Sequence, residues 1–354
     1  MNAHERNKVA TTREVARRAQ VSVGTVSRVL NRSENVDSAL RERVHRAAVE
    51  LGYQLPSRRP AVRTRVTTVG FLLSNAYLRG RDDLMTPFWA QILHGAEEEA
   101  GLSDAAVHYR SIGADPRDVR RVLRMAGLDA VLLVGSATDD VLEAVLALEV
   151  PTALVDFKSQ HHAVDSVLSD GLDGARLAVE HLLSHGHRRI AFVGGPMDNA
   201  EAGIQSVPAV QHRYLGYRTT LAAAGISFDP ELVAPCDLQA ENVAAATEAL
   251  LERTDFTAMF CANDQTALAA MRVLVARGVS VPAEVSVVGY DDEIAIHSIP
   301  SLTTMHVPKE RIGRIGIRQI LTQDNHRAEG PLTITIPVTL VRRDSVTAAP
   351  LSAS

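Results

Sequence analysis

Several polar side chains stand directly after short apolar stretches, and their chemistry suits a ligand that carries hydroxyl groups. Carboxylate and amide oxygens accept hydrogen bonds from hydroxyls, and a guanidinium donates two parallel bonds to a diol, a ring oxygen or a carboxylate. The alternative role for an aspartate or asparagine in such a place is to cap a loop or helix. The candidate binding residues are Ser74, Asn75, Asp170, Arg213, Asn263, Asp264 and Asp291.

Two aromatic residues could add a stacking surface to the same kind of site. Phe88 and Trp89 follow Pro87, and proline favours the first turn of a helix. An aromatic ring at such a place can pack on the apolar face of a sugar-like ring, or it can belong to the core beneath the helix. Both interpretations stay open at the level of sequence.

The stretches that carry these residues alternate between strand and helix. Apolar runs at 66–73, 130–134 and 152–155 predict buried strands with helical segments between them. The alternation restarts in a second half, where strands are predicted at 189–194, near 232, at 257–260 and at 285–288, and helices at 172–183, from 213, from 241 and at 267–277. Two such sets predict two lobes with parallel sheets, and ligands in these folds bind beyond the carboxyl ends of the strands.

Size and composition exclude several classes of protein. With 354 residues, 46% of them apolar, and a mean hydropathy near zero, the chain can form two or three folded units and has no signature of disorder. No apolar run approaches the about 20 residues of a membrane helix, and residues 1–20 lack the apolar segment of a signal peptide. Cys236 and Cys261 have no metal-ligand spacing. We therefore expect a cytoplasmic globular protein without metal or cofactor.

The charge is distributed unevenly along the chain. Residues 1–65 contain 14 Arg and Lys against 6 Asp and Glu, which gives a local charge of +8 within a net charge of −5. The remaining residues therefore carry −13. A basic head on an acidic body indicates that the head meets a polyanion, although a solvated basic surface would give the same count.

The sequence of the basic head predicts three short helices. Thr11 and Glu14 form a capping box at the start of the first helix, and Ser22 caps a second helix over 23–30 that Asn31 can close. A third helix is predicted over 38–51. Two helices joined by a tight turn and braced by a third form the helix-turn-helix arrangement.

The second helix has the character of a recognition helix. It begins with small residues, which allow its amino terminus to approach DNA and offer free N–H groups to phosphates. Arg28 is the best candidate to read a base, because a guanidinium can pair with guanine in the major groove. The side chains expected to face outward are Val23, Gly24, Thr25, Ser27 and Arg28.

These motifs resemble the headpiece of the lac-repressor (LacI-type) family. The resemblance rests on Glu14-Val15-Ala16, on the run from Val21 to Asn31, and on Leu51-Gly52-Tyr53. It implies a DNA-binding headpiece over 1–56, a hinge linker over 57–65, a sensor body over 66–344 and a tail over 345–354. A three-helix module that serves only protein contacts is the alternative.

The linker departs from the family pattern. In the family the matching segment folds into a hinge helix on DNA and inserts a leucine into the minor groove, which kinks the duplex. This chain has no leucine between Pro56 and Gly70, and Val62 is its only apolar substitute. Contact of arginines with phosphate or the minor groove is the expectation for Arg58, Arg59 and Arg63, with Val62 as the wedge if one forms.

The body resembles the family's sensor domain, which is similar to periplasmic sugar-binding proteins. The stretches that carry the likeness are 186–190, 262–264 and 289–291. The resemblance implies an all-α helix-turn-helix headpiece plus a two-lobed α/β sensor domain with doubly wound parallel sheets. It also implies that five polar residues line a cleft between the lobes: Asp170, Arg213, Asn263, Asp264 and Asp291.

The function expected on these grounds is transcriptional repression controlled by a small effector. The expected partners are double-stranded operator DNA and a sugar-like effector, with a purine as the alternative effector. A second copy of the chain is expected in a homodimer. A tetramer is not expected, because residues 347–354 do not form the leucine-rich helix that joins lac-repressor dimers into tetramers. The segment 196–212 is expected to be a surface loop or a lid over the cleft. An enzyme is disfavoured because the sequence contains no phosphate loop and no nucleophile elbow. A transport binding protein is disfavoured because the sequence contains the DNA-binding headpiece.

Overall fold

A computed structural model of the chain describes residues 12–30, 40, 43–44, 46–47, 51, 66–75, 85–195, 207–326 and 329–350. The chain divides into two compact units, Met1–Arg65 and Val66–Ser354. Most of the segment 196–212 lies outside the described residues. So do the expected DNA contacts Thr11, Asn31, Arg58, Arg59, Val62 and Arg63.

The first unit contains the two helices that the sequence predicted. Helices α1 (Thr12–Ala19) and α2 (Val23–Leu30) are separated by Gln20, whose φ of 55° turns the chain sharply. The backbone is helical again at 40, 43–44 and 46–47, within the predicted third helix. The helices share a small buried core of Val15, Ala16, Ala19, Val26, Val29, Val44 and Ala47.

The second unit begins with a six-stranded parallel sheet, which defines the first lobe. Its strands are β1 (Thr68–Asn75), β2 (Ala106–Ile112), β3 (Ala130–Ser136), β4 (Thr152–Val155), β5 (Asp165–Ser169) and, from near the end of the chain, β11 (Thr333–Ile336), in the order β11-β5-β4-β3-β1-β2. Every residue of β3 is buried, as expected for a strand covered by helices on both faces.

A four-stranded parallel sheet defines the second lobe. Its strands are β6 (Ile190–Gly195), β7 (Val233–Pro235), β8 (Ala258–Cys261) and β9 (Ser286–Val288), in the order β7-β6-β8-β9. Two further strands, β10 (Thr304–His306) and β12 (Thr339–Val341), pair antiparallel to each other. The strand predicted near 232 begins at Val233, because residues 230–232 form a single helical turn.

Eight helices of the second unit cover the two sheets. They are α3 (Pro87–Gly101), α4 (Pro116–Ala126), α5 (Asp139–Leu146), α6 (Gly171–Ser184), α7 (Pro208–Ala223), α8 (Ala240–Arg253), α9 (Asp264–Ala276) and α10 (Lys309–His326) within the part of the chain that the structure describes. Helix α9 begins three residues before the predicted 267–277, because the Asn263 side chain accepts a hydrogen bond from the Thr266 N–H and starts the helix there.

The chain crosses between the lobes three times. It leaves β5 of the first sheet for α6, which packs on α7 and on β8, β10 and β12. It returns after β10 into α10, which packs on α3 and on β3, β4 and β5. It leaves the first lobe again between β11 and β12. The paired strands β10 and β12 therefore lie beside two of the three crossings, where a hinge between lobes would bend.

Helices α3 and α10 of the first lobe approach each other through glycine. A side chain at Gly95 would collide with the backbone of Glu310, and one at Gly313 would collide with the backbone of Ile92. The ion pair between Arg318 and the mostly buried Glu99 closes the same contact, with two N–O distances of 2.8 Å. The backbones of the two helices therefore pack directly against each other.

The segment after β12 belongs to the second lobe. The buried Ser345 Oγ donates to the Val287 carbonyl, and the Ala349 N–H donates to the His185 carbonyl. These hydrogen bonds anchor residues 345–349, the first half of the predicted tail, to the second lobe. None of the described helices is long and apolar enough to cross a membrane.

Candidate functional site

The turn between α1 and α2 presents the start of α2 to solvent. The Ser22 Oγ accepts a hydrogen bond from the Thr25 N–H at 3.0 Å, which confirms the predicted cap. Val26 and Val29 are buried in the headpiece core, whereas Val23 is 46% exposed and Gly24 is exposed. Ser27 and Arg28 lie on α2, but their side chains are outside the described part of the structure. The helix therefore offers an exposed amino-terminal face.

The carboxyl ends of the strands bring the polar residues of the second unit together. Ser74 is the next-to-last residue of β1; its side chain is buried and its Oγ has no hydrogen-bond partner among the described residues. Asp156 follows β4 and Asp291 follows β9 by three residues, so the two lobes each supply a carboxylate. Asn75 is the last residue of β1, and its side chain is outside the described part.

Arg213 is the centre of this group. It lies on α7 and is 4% exposed; its Nη2 donates to Asp291 Oδ1 at 2.9 Å, and its Nη1 donates to the Ala262 carbonyl at 2.5 Å. The guanidinium carbon stands 3.8 Å from the centre of the Tyr290 ring. Its Nε has no acceptor among the described residues. The buried guanidinium thus keeps a hydrogen-bond donor that no described residue uses.

The charges around Arg213 shift the titration of several groups. Burial alone would lower the pKa of Arg213, but Asp291 in particular outweighs this effect and raises it. Burial raises the pKa of Asp156 to about 7, against the opposing influence of the nearby Arg213. Burial likewise raises the pKa of Asp264 to about 7. The site therefore contains two carboxyl groups poised between the neutral and charged forms near neutral pH.

Three of the predicted binding residues are engaged in local structure. Asp170 Oδ1 accepts from the Asp173 N–H and caps α6, and Asn263 caps α9, which leaves its amide nitrogen as the remaining donor. Asp264 is fully buried and accepts from the Thr304 hydroxyl at 2.5 Å and from the Glu293 N–H at 2.8 Å. These residues frame the site, and their side-chain oxygens are largely occupied.

Phe88 and Trp89 differ in whether they belong to the core or could stack on a ligand, the two interpretations that the sequence left open. Phe88 is 6% exposed and belongs to the core; its ring meets Trp89 edge to face with centroids 4.7 Å apart. Trp89 is only partly buried. Of the two rings, Trp89 is the one with surface available for stacking on a ligand.

Sequence reasoning missed four residues of this group. Asp156 directly follows a predicted strand, so the rule that selected Ser74 and Asn75 could have found it. Tyr290 is covered by Arg213 and donates its hydroxyl to the Asp170 carbonyl. The buried Lys309 Nζ donates to the Asp291 carbonyl at 2.5 Å, and the Phe88 N–H donates to Glu293. No sequence signal marks Lys309, because it reaches the site from the start of α10.

The arrangement can bind a small polar molecule. Among the described residues, no group of three His, Cys, Asp or Glu could hold a metal ion. The donors and acceptors of Arg213, Asp156 and Asp291 match hydroxyl groups on a ring. A helix-turn-helix headpiece and a two-lobed α/β body together indicate the class of DNA-binding transcriptional regulators.

Comparisons with known proteins assign the family. Residues 11–56 match the model "Bacterial regulatory proteins, lacI family", and residues 179–346 match the model "Periplasmic binding protein-like domain". The HTH-type transcriptional regulator CelR of Thermobifida fusca is 35% identical over 360 residues, covering 96% of this chain and 99% of the relative. The HTH-type transcriptional repressor PurR of Aliivibrio fischeri (strain MJ11) is 28% identical over 348 residues, covering 96% and 98%. The chain belongs to the lacI family of bacterial transcriptional regulators.

Solved structures agree in fold along nearly the whole chain. A transcriptional regulator CelR-cellobiose complex matches with a TM-score of 0.70 and 34% identity, covering 95% of this chain and 99% of that one. A lac repressor dimer bound to operator and the anti-inducer ONPF matches with a TM-score of 0.66 and 28% identity, covering 96% and 100%. The predicted family and fold class are confirmed, and since the relatives are named as regulators and repressors, the enzyme alternative is set aside.

Proposed function

We propose that this chain is a repressor that binds operator DNA through its headpiece and is released from it by a sugar or sugar derivative bound between the lobes. The observation that carries the proposal is the buried Arg213, which is held by Asp291 and Ala262 and keeps its Nε free of any acceptor among the described residues. A buried donor without a partner is costly, and a ligand oxygen would relieve that cost.

The balance of charge at the site supports a neutral ligand with many hydroxyls. Asp156, Asp291 and Glu293 accompany the cations Arg213 and Lys309, so a further anion would meet carboxylates as well as ammonium and guanidinium groups. Hydroxyls can both donate to the carboxylates and accept from Arg213. The CelR-cellobiose complex among the similar solved structures supports the same class of ligand.

A purine is the second candidate. Relatives named PurR are 28–29% identical to this chain over nearly its full length. The partly exposed Trp89 could stack on a purine ring as well as on a sugar face.

A thermal-shift screen of the full chain against sugars, sugar phosphates and purines tests the effector class. A ligand present at about 100 times its dissociation constant should add about 2.7 kcal/mol to the free energy of unfolding. We expect a neutral sugar to give the largest shift. A shift by purines alone would overturn the sugar assignment and leave the second candidate.

The proposal for DNA binding extends to residues that sequence reasoning selected. We assign base contacts to the outward face of α2, with Arg28 as the principal reader, and backbone contacts to the arginines of the linker. A homodimer on a near-palindromic operator would present two such helices to successive major grooves. Light scattering gives the mass of the free protein, and a monomer would contradict the homodimer. An operator gel shift with and without the sugar gives the direction of the response, and tighter binding with sugar would contradict release by the effector.

A further inference from the structure

Helix α4 of the first lobe carries a stripe of arginines on the side that faces away from the core. The stripe follows the i, i+3, i+4, i+7 spacing that places residues on one side of a helix, and it consists of Arg117, Arg120, Arg121 and Arg124. The first three side chains are exposed, and that of Arg124 is outside the described part of the structure. Val119 and Leu123 point the other way, into a buried cluster under the helix. The four positions span about 10.5 Å along the helix axis.

The stripe is a local reversal of charge in an acidic body. Residues 105–128 contain five arginines and two aspartates, whereas residues 66–354 together carry a net charge of −13. Asp115, one of the two aspartates, caps the start of α4 and pairs with Arg117 at 2.9 Å. The exposed Arg110 of β2 lies on the same face of the sheet as α4, because Ile112, two residues further along the strand, belongs to the buried cluster under the helix.

The end of α4 lies at the edge of the sheet where the chain enters the first lobe. The helix ends at Ala126, and three residues later Asp129 Oδ2 accepts hydrogen bonds from the N–H and hydroxyl of Thr67 and from the Thr68 N–H, at 2.7–2.9 Å. Thr67 is the second residue after the predicted arginine-rich linker. The carboxyl-terminal half of the stripe therefore lies near the point at which the chain enters the lobe from that linker.

We propose that the arginine stripe of α4 binds the phosphate backbone of DNA that flanks the operator, outside the bases assigned to α2. The inference rests on the proposed function, because it requires the headpiece to hold DNA. Arginine suits this partner, since its guanidinium donates two parallel hydrogen bonds to a phosphate. Contacts to phosphate carry no sequence information, so the stripe adds affinity for longer DNA without adding discrimination between operators.

Other partners fit the stripe less well. The core of a protein interface is typically apolar or aromatic, whereas the exposed side chains of α4 are all arginines among the described residues. A single small anion would engage one or two guanidinium groups and leave the rest of the row unused. A row of cations matches a polymer with regularly spaced negative charges, which is what the DNA backbone provides.

The test compares the binding of the full chain to two duplexes that share one operator, which the full chain itself selects from a random library. The short duplex has about 20 base pairs, enough for two half-sites one helical turn apart, and the long duplex adds about 20 base pairs of unrelated sequence on each side. Fluorescence anisotropy over a salt series gives the affinity and the salt slope for each duplex.

The test variant carries Arg120→Glu and Arg121→Glu together. The matched control carries Arg188→Glu and Arg342→Glu, which reverse two exposed arginines away from α4 and give the same net charge. Melting temperature and light scattering establish that both variants fold and assemble like the wild type. Arg120→Ala with Arg121→Ala is the milder replacement, with the same expected direction, if the charge reversal disturbs folding.

We expect the wild type to bind the long duplex at least about tenfold more tightly than the short one at about 0.1 M salt, with a salt slope steeper by about two units, since each neutralised phosphate contributes about 0.9. The test variant should lose most of this gain and bind the short duplex as the control does, while the control keeps the gain. Equal affinity of the wild type for both duplexes, or a gain that survives in the test variant, would overturn the flanking contact and leave operator binding standing. Failure of the full chain to enrich any duplex from the library would overturn both.

Discussion

Asp291 combines a buried charge with an uncommon backbone conformation. Its φ is 102° and that of Asp292 is 53°, a region that few residues other than glycine adopt. Such conformations persist where the surroundings hold them, and here Lys309 donates to the carbonyls of both aspartates. The strained pair indicates that the direction of the Asp291 carboxylate toward Arg213 is maintained at a cost in stability.

Two substitutions of Asp291 should separate binding from folding. Asp291→Asn keeps an oxygen near Arg213 and should lower effector affinity by one to two decades, equivalent to about 1.5–3 kcal/mol, through loss of a charged acceptor. Asp291→Ala leaves a buried guanidinium unpaired and should also lower the free energy of unfolding by about 3–5 kcal/mol. Calorimetry and chemical denaturation measure the two effects. Effector affinity like that of the wild type in Asp291→Asn would remove this residue from the site.

The titration of Asp156 should make stability depend on pH. Because burial raises its folded-state pKa from 3.8 to about 7, the folded protein retains a proton that the unfolded chain has lost. The contribution of the protonated carboxyl is present below about pH 4 and is lost as the pH rises toward about 7. We expect Asp156→Asn to reduce the fall in melting temperature between pH 5 and pH 8. Asp255→Asn, at an exposed loop position, is the control and should leave the slope unchanged.

Residue types and strand ends predicted part of the site from the sequence. The rule that ligands bind beyond strand ends selected Arg213's partner Asp291, and it applies equally to Asp156. Lys309 and Tyr290 escaped it, because their places depend on packing between elements that are distant in the chain. Asp264 was predicted as a ligand, but its oxygens accept from Thr304 and Glu293, a use that only the folded geometry shows.

At the scale of elements, helix α2 is specified both by a local signal, its amino-terminal cap, and by tertiary packing against the headpiece core. Ser22 starts the helix through its cap, and Val26 and Val29 turn one face into the headpiece core. The opposite face follows from the helical period, which is why sequence alone could assign it. Elements without a continuous apolar run were harder: β2 is largely exposed, and β5 begins with the buried polar residues Asp165 and Ser166, and neither strand was predicted.

Two arginines of the first unit should have different effects on DNA binding. Arg28→Ala should remove about 1–3 kcal/mol of discrimination between operator and random DNA, because a base contact is lost. Arg63→Ala should weaken binding to all sequences and lower the salt slope by about one unit, because a phosphate contact is lost. Competition binding over a salt series measures both. Unchanged sequence preference in Arg28→Ala would show that α2 has been assigned the wrong face.

At the scale of the whole second unit, Asp292 connects the Arg213 group to segments beside the crossings between the lobes. Its Oδ1 accepts from Arg343, two residues after β12, at 2.6 Å, and its Oδ2 lies 3.1 Å from Nδ1 of His306 on β10. Burial alone would raise the pKa of Asp292, but Arg343 and His306 hold it below the usual range. The residue next to Asp291 is therefore bonded to β10 through His306 and to the segment just after β12 through Arg343. Sequence patterns predicted the two lobes but not this connection, which forms between segments about 50 residues apart.

Asp292→Asn should weaken communication more than binding. With its ties to Arg343 and His306 reduced, effector affinity should stay within about threefold, while the effector-induced change in operator affinity should fall from a typical 5–150-fold to less than about twofold. Gel shifts with and without the effector measure that change. Asp344→Asn, which alters a nearby carboxylate bonded to Ser301, is the control. A full response in Asp292→Asn would show that the lobes communicate by another route.

The glycine contact between α3 and α10 bears on how genetic screens of this regulator should be read. At Gly95 and Gly313 even one added methyl group meets backbone atoms of the facing helix, which cannot rotate away as a side chain can. In a library scored by reporter expression, alanine at either position should therefore score as loss of repression, although neither glycine is among the proposed ligand or operator contacts. Ranking positions by phenotype alone would place these two beside Arg28, and measuring protein abundance in the same cells would separate a chain that fails to accumulate from one that fails to recognise its operator.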